Sequence, residues 1–584
     1  MNFLYPIYTE QTECQDCYKC VRQCPNKAIR VENGHAMVMP ELCILCGNCV
    51  TNCPAKAKHV RNDLAKTRQL FTLRKNVIVS LAPSFVSEFS EFTPEQLIAA
   101  LKKIGFNAVS ETAIGADFVS MQVADVLENA VKESGGKKLF LSSACPSVVE
   151  YIKFKMPEFS PYITDIASPL LAHARYLKKT YGYDNGVVFI GPCIAKKREA
   201  DVWDEIDASI TFCNLRKWFE AENITPQTIT VTDEDCFIPQ RASKGVLYPS
   251  DGGMIEAIKK YNKTDDVQMI AVSGIDQIAD VLKGIEPEKL KKPLFIEFLA
   301  CNGGCINGPA ARKQTAMALK HVAVMDYAEN VQNTISQNVR DNLPQLSGIL
   351  PVEVRESDIH TETEIRAALH SVGKYSHEDE LNCACCGYDT CRHFAAAMLD
   401  KHAEKTMCLS YMRKLAQKKA NGLIQAIPSG AVIADKNLSI VECNKNFAKL
   451  MGREIEEMYN DLPGLEGADL SKITRLFTFF ADVLDKNGPD VIERDVKENN
   501  KIFHITVFSI EKEGIAGGVI EDVTVPQVRR NRIMSQAKKV IDKNLSVVQK
   551  IAYLLGENAA ETESILNSII ESFSGGENSS EKGR

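Results

Sequence analysis

Four cysteines in three short loops could together hold a metal cluster in this 584-residue sequence. They are Cys145 in the loop 143–146, Cys193 in the loop 191–196, and Cys301 and Cys305 in the loop 301–305. A set of four thiolates is what a [4Fe–4S] cubane requires. The three loops therefore predict one iron–sulfur site, provided that the fold brings them together.

Each of these loops follows an apolar run that is typical of a buried strand. The runs are residues 139–141, 187–190 and 294–296. In open α/β sheets, ligand sites gather beyond the carboxyl ends of the strands. We therefore expect three strand ends to deliver the four thiolates to one cleft.

The three loops closely resemble the signature motifs of the [FeFe]-hydrogenase H-cluster domain. That family carries a Cys-Pro loop, a Pro-Cys-x-x-Lys loop and a Cys-x-x-x-Cys loop, and all three occur here in the same order. The resemblance implies that the four cysteines hold a [4Fe–4S] cubane. It also implies that Cys305 bridges to a diiron subsite carrying CO, cyanide and a dithiolate amine. Lys196 would donate a hydrogen bond to one cyanide, and the loop of Pro83 and Ser84 would contact the other.

The sequence departs from this family at the groups that move protons. Catalytic members usually carry a second cysteine just before the Cys-Pro ligand, but this chain has Ala144 there. A methyl group can neither donate nor accept a proton. The segment 115–124 resembles the family segment with relay glutamates, yet Val123 and Val126 stand at the acidic positions. We expect an assembled site with an impaired proton route.

Eight further cysteines near the start form two Cys-x₂-Cys-x₂-Cys-x₃-Cys-Pro runs. This is the doubled bacterial ferredoxin pattern, in which the fourth cysteine of each run binds the other cluster. One [4Fe–4S] cluster would take Cys14, Cys17, Cys20 and Cys53, and the other Cys43, Cys46, Cys49 and Cys24. Zinc is the weaker alternative, because zinc sites prefer two Cys-x-x-Cys pairs separated by a longer gap.

A third set of cysteines follows the central region. Its members are Cys383, Cys386, Cys391 and Cys408. Helix-forming residues separate the last two, and the motif Cys-x-x-Cys-Gly-Tyr-x-x-Cys resembles that of a small single-cluster [4Fe–4S] domain. Zinc stays open as an alternative metal for this site. Four cysteines remain unassigned and are expected to be small buried apolar groups. They are Cys213, Cys236, Cys385 and Cys443.

Composition limits the class of protein. A net charge of −7 argues against nucleic acid and anionic membranes as partners. We expect no membrane-spanning helix and no secretory signal, and hence a cytoplasmic protein. Twenty cysteines in a reducing compartment are then metal ligands or free thiols.

The length predicts several domains. We expect an α/β multidomain protein with a ferredoxin-like (α+β) module, a two-lobed α/β H-cluster domain, a small helical iron–sulfur domain, an α+β PAS domain and C-terminal helices. The expected bounds are a dicluster module at 1–60, a linker at 61–75, the H-cluster domain at 76–358, the [4Fe–4S] domain at 359–415, PAS at 416–525, a helical output at 526–573 and a disordered tail at 574–584. The basic residues of 55–75, including Lys58 and Arg61, are expected on a solvated helix.

The C-terminal part resembles a signalling module. A strand–turn–strand at 427–443, an Asn-x-x-Phe helix entry and a closing strand ending in Asp-Val-Thr are similar to a PAS domain. His504 is a conceivable haem ligand, although a core or surface histidine is the favoured interpretation. Apolar residues then step by three and four through a helix with Asn544 as a polar member, which suits a coiled coil or a helix packed on the PAS domain. They are Met534, Ala537, Ile541, Val548, Ile551 and Leu555.

These parts together lead to a sensory [FeFe]-hydrogenase as the first hypothesis. It would bind and slowly oxidise or evolve H₂, exchange electrons with a soluble ferredoxin-like carrier, and depend on maturation proteins. The signal would pass through the PAS domain, which could form a homodimer, to a separate kinase, phosphatase or second-messenger enzyme. A metabolic hydrogenase with a regulatory appendage is the second hypothesis. A hydrogenase-related iron–sulfur assembly protein is the third.

Overall fold

The computed structural model describes residues 5–132, 136–330, 339–340, 342–351, 360–498, 501–524, 539–541 and 543–548. The chain divides into two compact units, Met1–Leu409 and Ser410–Arg584. Each unit is described by itself. Their mixed α/β character confirms the fold class expected from the sequence.

The N-terminal module consists of two small antiparallel pairs and two short helices. Strand β1 (Ile7–Thr9) pairs with β4 (Lys58–Val60), and β2 (Ile29–Glu32) pairs with β3 (His35–Val38). The helices are Lys19–Arg22 and Asn48–Asn52. Each helix begins inside one of the cysteine runs, so that the cysteine loops project from a compact α+β unit.

The expectation of a solvated basic helix over residues 55–75 is wrong in its first half. The helix begins only at Leu64 and ends at Leu73, and Lys58 lies in strand β4. Lys58 is buried and donates to Thr9 Oγ1 at 2.6 Å. Arg61 is also buried and forms ion pairs of 2.8 Å with Asp63 and Asp201. These partners offset the cost of removing the cations from water.

Two parallel sheets form the central region. Their strands are β5 (Val77–Leu81), β6 (Ala108–Glu111), β7 (Leu139–Leu141), β8 (Gly186–Gly191), β9 (Ala208–Thr211), β10 (Gln268–Ser273) and β11 (Leu294–Leu299). The four-stranded sheet has the order β6-β5-β8-β9, and the three-stranded sheet has the order β10-β11-β7. Every residue of β5, β8 and β11 is buried, as expected of parallel strands covered on both faces.

Helices surround these two sheets. They are Phe85–Glu88, Pro94–Lys103, Ala113–Lys132, Pro146–Lys155, Pro169–Tyr181, Lys196–Val202, Phe212–Ala221, Gly253–Lys259, Ile278–Leu282 and Met317–Glu329. The apolar pattern predicts a helix from Pro94 to Ile104, and the observed helix ends one residue earlier, at Lys103. A capping box formed by Thr93 and Gln96 fixes its start. The helix Ala113–Lys132 buries the stretch in which relay glutamates were sought.

The last part of the first unit is helical, as predicted for the third cysteine set. It contains the helices Glu362–His370 and Cys391–Leu399. Leu369 and Ala395 lie in their small shared core. Cys408 then directly precedes the helix Leu409–Ala426, which has no buried residue.

The second unit is built on a five-stranded antiparallel sheet. Its strands are β12 (Gly430–Asp435), β13 (Ile440–Cys443), β14 (Val491–Glu498), β15 (Lys501–Glu511) and β16 (Ile515–Asp522), in the order β13-β12-β16-β15-β14. Four helices cover one face: Lys445–Met451, Arg453–Asp461, Leu470–Ile473 and Phe477–Leu484. Phe447 and Phe480 fill the core between helices and sheet.

His504 lies on this sheet between Asp495 and Glu493, at 2.6 and 3.1 Å, and is partly exposed. This position fits the favoured interpretation of a surface histidine. Of the predicted apolar seam, only Ile541, Asn544 and Val548 lie within the described residues, where the backbone is helical. The other members of this seam, the rest of the expected helical output and the tail 574–584 lie outside the described residues. Among the described residues, none of the helices is both long and apolar enough to cross a bilayer.

Candidate metal centre

One small cavity in the first unit is lined by all four cysteines of the three central loops. Cys145, Cys193, Cys301 and Cys305 share it with Cys46. Burial is the main cause that raises the pKa of each of the four central thiols, to about 11 for Cys193. The thiolates are thus costly in this cavity without a cation. A buried Cys₄ set of this kind fits an iron–sulfur cluster.

The parallel sheets explain how distant segments reach this cavity. Cys145 follows β7 and stands at the start of the helix Pro146–Lys155, and Cys193 follows β8. Cys301 follows β11, and Cys305 begins the 3₁₀ turn Cys305–Asn307. Because each ligand lies past the carboxyl end of its strand, the loops of both sheets open towards one cleft.

Glycines allow these loops to pack closely. Gly304 has φ +93°, and a Cβ there would lie 2.2 Å from the carbonyl oxygen of Pro249. Ile306 N donates to that same oxygen at 3.2 Å. The segment 248–254 therefore contacts the loop 301–305. Ala310 N also donates to Pro192 O at 3.0 Å, which joins this loop to the loop of Cys193.

Lys196 places a cation beside the cavity. Burial raises the pKa of the thiols of Cys145, Cys193 and Cys305, and the ammonium of Lys196 offsets part of that rise. The Nζ atom donates to Ser168 Oγ at 3.0 Å and pairs with Glu199 Oε2 at 2.5 Å. Ser168 and Glu199 thus fix the position of the lysine side chain. It can stabilise negative charge that develops at the centre.

The other predicted site residues lie on neighbouring loops. Pro83 and Ser84 follow β5, which is hydrogen-bonded to β8, and Ser84 is buried. Ala82 in the same loop would be 2.9 Å from a Cβ on Gly191, so the two loops touch. Ala144 packs its methyl group against the main apolar core.

The two ferredoxin-type cysteine runs lie side by side, and their assignment to two crossed cluster sets stays a prediction. Burial, with the thiols of Cys14, Cys17 and Cys53, raises the pKa of Cys20 to about 11. Burial, with the thiols of Cys43, Cys46 and Cys24, also raises the pKa of Cys49. Each fourth cysteine therefore lies beside the other run.

The second ferredoxin set approaches the central cavity. Cys46 is one of its lining residues. A Cβ on the adjacent Gly47, at φ +79°, would lie 2.4 Å from Pro309 and 3.1 Å from Ile194. The loop of the second set therefore packs directly against the loops that carry the central cysteines.

The third cysteine set is partly assembled. The thiols of Cys383 and Cys408 raise the pKa of Cys386, and burial raises it most, to about 11. Cys391 is buried at the first position of its helix. Tyr388 has a buried hydroxyl that bonds to none of the described residues, and the thiols of Cys386 and Cys24 raise its pKa. A free donor beside thiols fits a site whose cluster sulfurs accept hydrogen bonds.

The unassigned cysteines are not uniformly buried as expected. Cys443 is buried, whereas Cys213, Cys236 and Cys385 are exposed. Cys213 Sγ donates to Ala310 O at 3.3 Å.

Sequence reasoning missed a group of buried acids near the same loops. Burial raises the pKa of Glu297 to about 8, and its carboxylate accepts from Met254 N and Ile255 N at 3.3 and 3.1 Å. Burial likewise raises the pKa of Asp117 to about 7. A signal was present for the first of these, because Glu297 interrupts the apolar strand Leu294–Leu299.

Comparison with known families agrees with these sites. Residues 75–309 match the family "Iron only hydrogenase large subunit, C-terminal domain". Residues 6–67 match the 4Fe-4S dicluster domain, and residues 379–410 match a small Fe-S cluster family.

Curated relatives share about a quarter of the aligned residues. Iron hydrogenase 1 of Clostridium pasteurianum is 26% identical over 40% of this chain and 50% of its own length. The periplasmic [Fe] hydrogenase large subunit of Nitratidesulfovibrio vulgaris is 26% identical over 52% of this chain and 86% of its own. The cytosolic Fe-S cluster assembly factor nar1 of Emericella nidulans is 29% identical over 25% of this chain and 26% of its own. The chain thus spans only half of the first relative's length.

Two kinds of solved structure were also found. A variant of [FeFe]-hydrogenase HydA1 from Chlamydomonas reinhardtii covers 49% of this chain and 98% of its own, at 17% identity and a TM-score of 0.39. The PAS domain of BvgS from Bordetella pertussis covers 22% of this chain and 97% of its own, at 14% identity and a TM-score of 0.14.

The cysteine sites and the family matches define a hydrogenase-like iron–sulfur protein. Its central region, residues 75–309, is similar to the [FeFe]-hydrogenase family.

Proposed function

We propose that this protein is a sensory [FeFe]-hydrogenase. It would bind H₂ at an H-cluster in the central cavity, oxidise or evolve H₂ slowly, and report the H₂ or redox state through a PAS domain. The observation that carries this proposal is the convergence of four cysteines from three loops on one cavity, with Lys196 beside them.

The residues of the cavity would have distinct roles. Cys145, Cys193, Cys301 and Cys305 would hold the [4Fe–4S] cubane, and Cys305 would also hold the diiron subsite with its CO, cyanide and dithiolate amine. That group supplies the making and breaking of the H–H bond. Lys196, fixed by Ser168 and Glu199, would donate a hydrogen bond to one cyanide. Pro83 and Ser84 would line the other side.

Slow turnover follows from what surrounds the site. Ala144 offers no proton to exchange, and the helix Ala113–Lys132 carries the apolar Val123 and Val126 where relay acids were expected. General acid–base catalysis commonly contributes about 10²–10⁴-fold to a rate. Losing that contribution suits a sensor, which needs to bind H₂ rather than to consume it.

Three further [4Fe–4S] clusters would complete the cofactor set, two in the ferredoxin-like module and one on the third cysteine set. They would exchange electrons with a soluble ferredoxin-like carrier. Maturation proteins would supply the diiron group. The five-stranded unit would act as the PAS domain and, with the C-terminal helix, form a homodimer that addresses a separate cytoplasmic signalling enzyme.

Infrared spectroscopy of matured protein under H₂ and under argon tests this proposal. We expect bands from bound CO and cyanide that change with H₂, together with H₂ turnover far below that of fast hydrogenases at neutral pH. Absence of the bands would reject the H-cluster. Fast turnover with the bands present would instead favour a metabolic hydrogenase with a regulatory appendage.

The matches to cytosolic Fe-S cluster assembly factors favour a second candidate, an assembly protein without the diiron subsite. Against it, Cys305, Lys196 and Ser84 are all present. The same infrared measurement separates the two candidates, since an assembly protein of that kind would carry no CO or cyanide.

A further inference from the structure

The third cysteine segment lies against the ferredoxin-like module, although more than 350 residues separate them in the sequence. Val31 N, on strand β2, donates to His402 O at 2.9 Å. Asn33 N donates to Glu404 Oε1 at 2.6 Å, and Gly34 N donates to Glu404 Oε2 at 3.3 Å. The segment thus satisfies backbone donors of the β2–β3 hairpin.

Two cations join the cysteine loops themselves. Arg22 Nη2 donates to Cys17 O at 3.1 Å, and its Nη1 donates to Cys385 O at 3.3 Å. Lys27 Nζ donates to Gly387 O at 2.7 Å. A single guanidinium therefore bridges a loop of the first ferredoxin set and the loop of the third set.

The surfaces between these cations fit closely. Gly387 has φ +94°, and a Cβ there would lie 2.6 Å from Val21 Cγ1. Only a residue without a side chain permits this approach and this backbone conformation. The next residue, Tyr388, is 5% exposed and leaves its hydroxyl without a hydrogen-bond partner among the described residues. The two surfaces are therefore closely packed at Gly387.

The contacts place the third cysteine set beside both ferredoxin sets. Arg22 joins it to the first set through Cys17 and Cys385. Lys27 joins it to the second set, because Lys27 N donates to Cys24 O at 3.2 Å and Lys27 Nζ donates to Gly387 O at 2.7 Å. The central set shares its cavity with Cys46, which also belongs to the second set. The third set directly precedes the helix Leu409–Ala426.

We propose that the third cysteine set is a metal-binding site docked beside both ferredoxin sets, and that Arg22, Lys27 and Glu404 are positioning residues that hold it there. A [4Fe–4S] cluster in each site would supply storage for one electron. The inference rests on the iron–sulfur part of the proposed function and does not depend on H₂ chemistry.

Hydrogen exchange on the full chain tests the contact without any metal. With Glu404→Gln, one charge-assisted acceptor of Asn33 N and Gly34 N becomes a neutral group. We expect exchange of the 31–36 amides to become about tenfold faster, the effect of a hydrogen-bond loss near 1.4 kcal/mol. Arg30→Ala is the matched control, because Arg30 lies on the same strand, is exposed and pairs with Glu32 at 3.3 Å. Equal exchange in Glu404→Gln and wild type would overturn the contact.

Electron paramagnetic resonance on reconstituted, reduced protein tests whether the third site lies beside the ferredoxin sites. We expect magnetic interaction between the cluster of the third set and a neighbouring cluster, and we expect Arg22→Ala to weaken it while Arg30→Ala leaves it intact. Tyr388→Phe removes only the free hydroxyl, so it should shift the potential of the third site and preserve the interaction. An interaction that is missing in wild type, or undiminished by Arg22→Ala, would reject the proposal. A sample without CO and cyanide bands would reject the H₂ function and leave this result standing.

Discussion

At the scale of single residues, the proposed slow turnover rests chiefly on Ala144. Its methyl group packs on the apolar core, one residue before a cysteine of the cavity. We expect Ala144→Cys to raise H₂ turnover roughly a hundredfold, the lower end of what an acid–base group contributes. The measurement is H₂ evolution by matured protein with a chemical reductant.

Ala144→Ser is the control for this substitution. A hydroxyl of similar size transfers protons poorly at neutral pH compared with a thiol, so its turnover should stay near the wild-type value. If Ala144→Cys is also unchanged, then proton transfer at this position does not limit the rate.

His173 is a residue whose effect on stability depends on pH. It is fully buried between Ser80 Oγ at 2.8 Å and Ser110 Oγ at 2.9 Å, and burial lowers its pKa from 6.5 to about 3. In the unfolded chain the imidazole takes up a proton below pH 6.5, whereas in the folded protein it stays neutral. Stability must therefore fall as the pH falls below 6.5, by about 1.4 kcal/mol per pH unit.

This dependence can be isolated by substitution. Between pH 6.5 and pH 5, His173→Gln should lose about 2 kcal/mol less than wild type, because glutamine does not titrate. Urea unfolding of the metal-free chain at the two pH values measures the difference. His377→Gln, at an exposed position, is the control for the substitution itself. Parallel slopes for His173→Gln and wild type would mean that His173 is protonated in the folded state.

At the scale of elements, close loop contacts hold the ferredoxin module against the central loops. We expect Gly47→Ala to destabilise the first unit, because the new Cβ would lie 2.4 Å from Pro309 in addition to the strain at φ +79°. Gly284 has φ +77° but no atom within 4 Å of its Cβ position, so Gly284→Ala measures the backbone strain alone.

The expected costs differ between the two variants. Gly284→Ala should cost about 1 kcal/mol, and Gly47→Ala about 2–4 kcal/mol because overpacking is added. Thermal unfolding of the two variants provides the comparison. Similar melting temperatures would show that the loop of Cys46 yields without loss.

The elements also show what a sequence can reveal. Cysteine spacing and apolar runs were enough to predict that strands β7, β8 and β11 end near one centre, because ligand sites in open α/β sheets lie beyond the carboxyl ends of the strands. They did not reveal that β8 lies in a different sheet from β7 and β11. The partners of charged residues were not predictable. Lys58, Arg61 and Arg22 look like ordinary surface cations in the sequence, and their partners lie up to 363 residues away. Only tertiary contacts distinguish such residues from a solvated face.

At the scale of the whole molecule, the helix Leu409–Ala426 follows the last cysteine of the third set and ends at a polar anchor in the second unit. The anchor is Asn444, which is fully buried. Its Nδ2 donates to Ile424 O and Ser429 O at 3.0 and 2.8 Å, and its Oδ1 accepts from Ala431 N at 2.9 Å. One side chain thus ties the end of the helix to the first strand of the sheet.

The helix Leu409–Ala426 joins the two units along the chain, and we expect a redox change in the first unit to reach the second unit through it. We expect matured wild-type protein to show H₂-dependent hydrogen exchange in β12 and β13, and Asn444→Ala to abolish that difference while its infrared response to H₂ remains. Asn446→Ala is the control, since this side chain also bonds Ile427 O but does not accept from the strand. If the H₂-dependent exchange survives in Asn444→Ala, the signal bypasses the anchor. If wild type shows none, the second unit does not respond to H₂, and a metabolic hydrogenase with an appended domain becomes the better description.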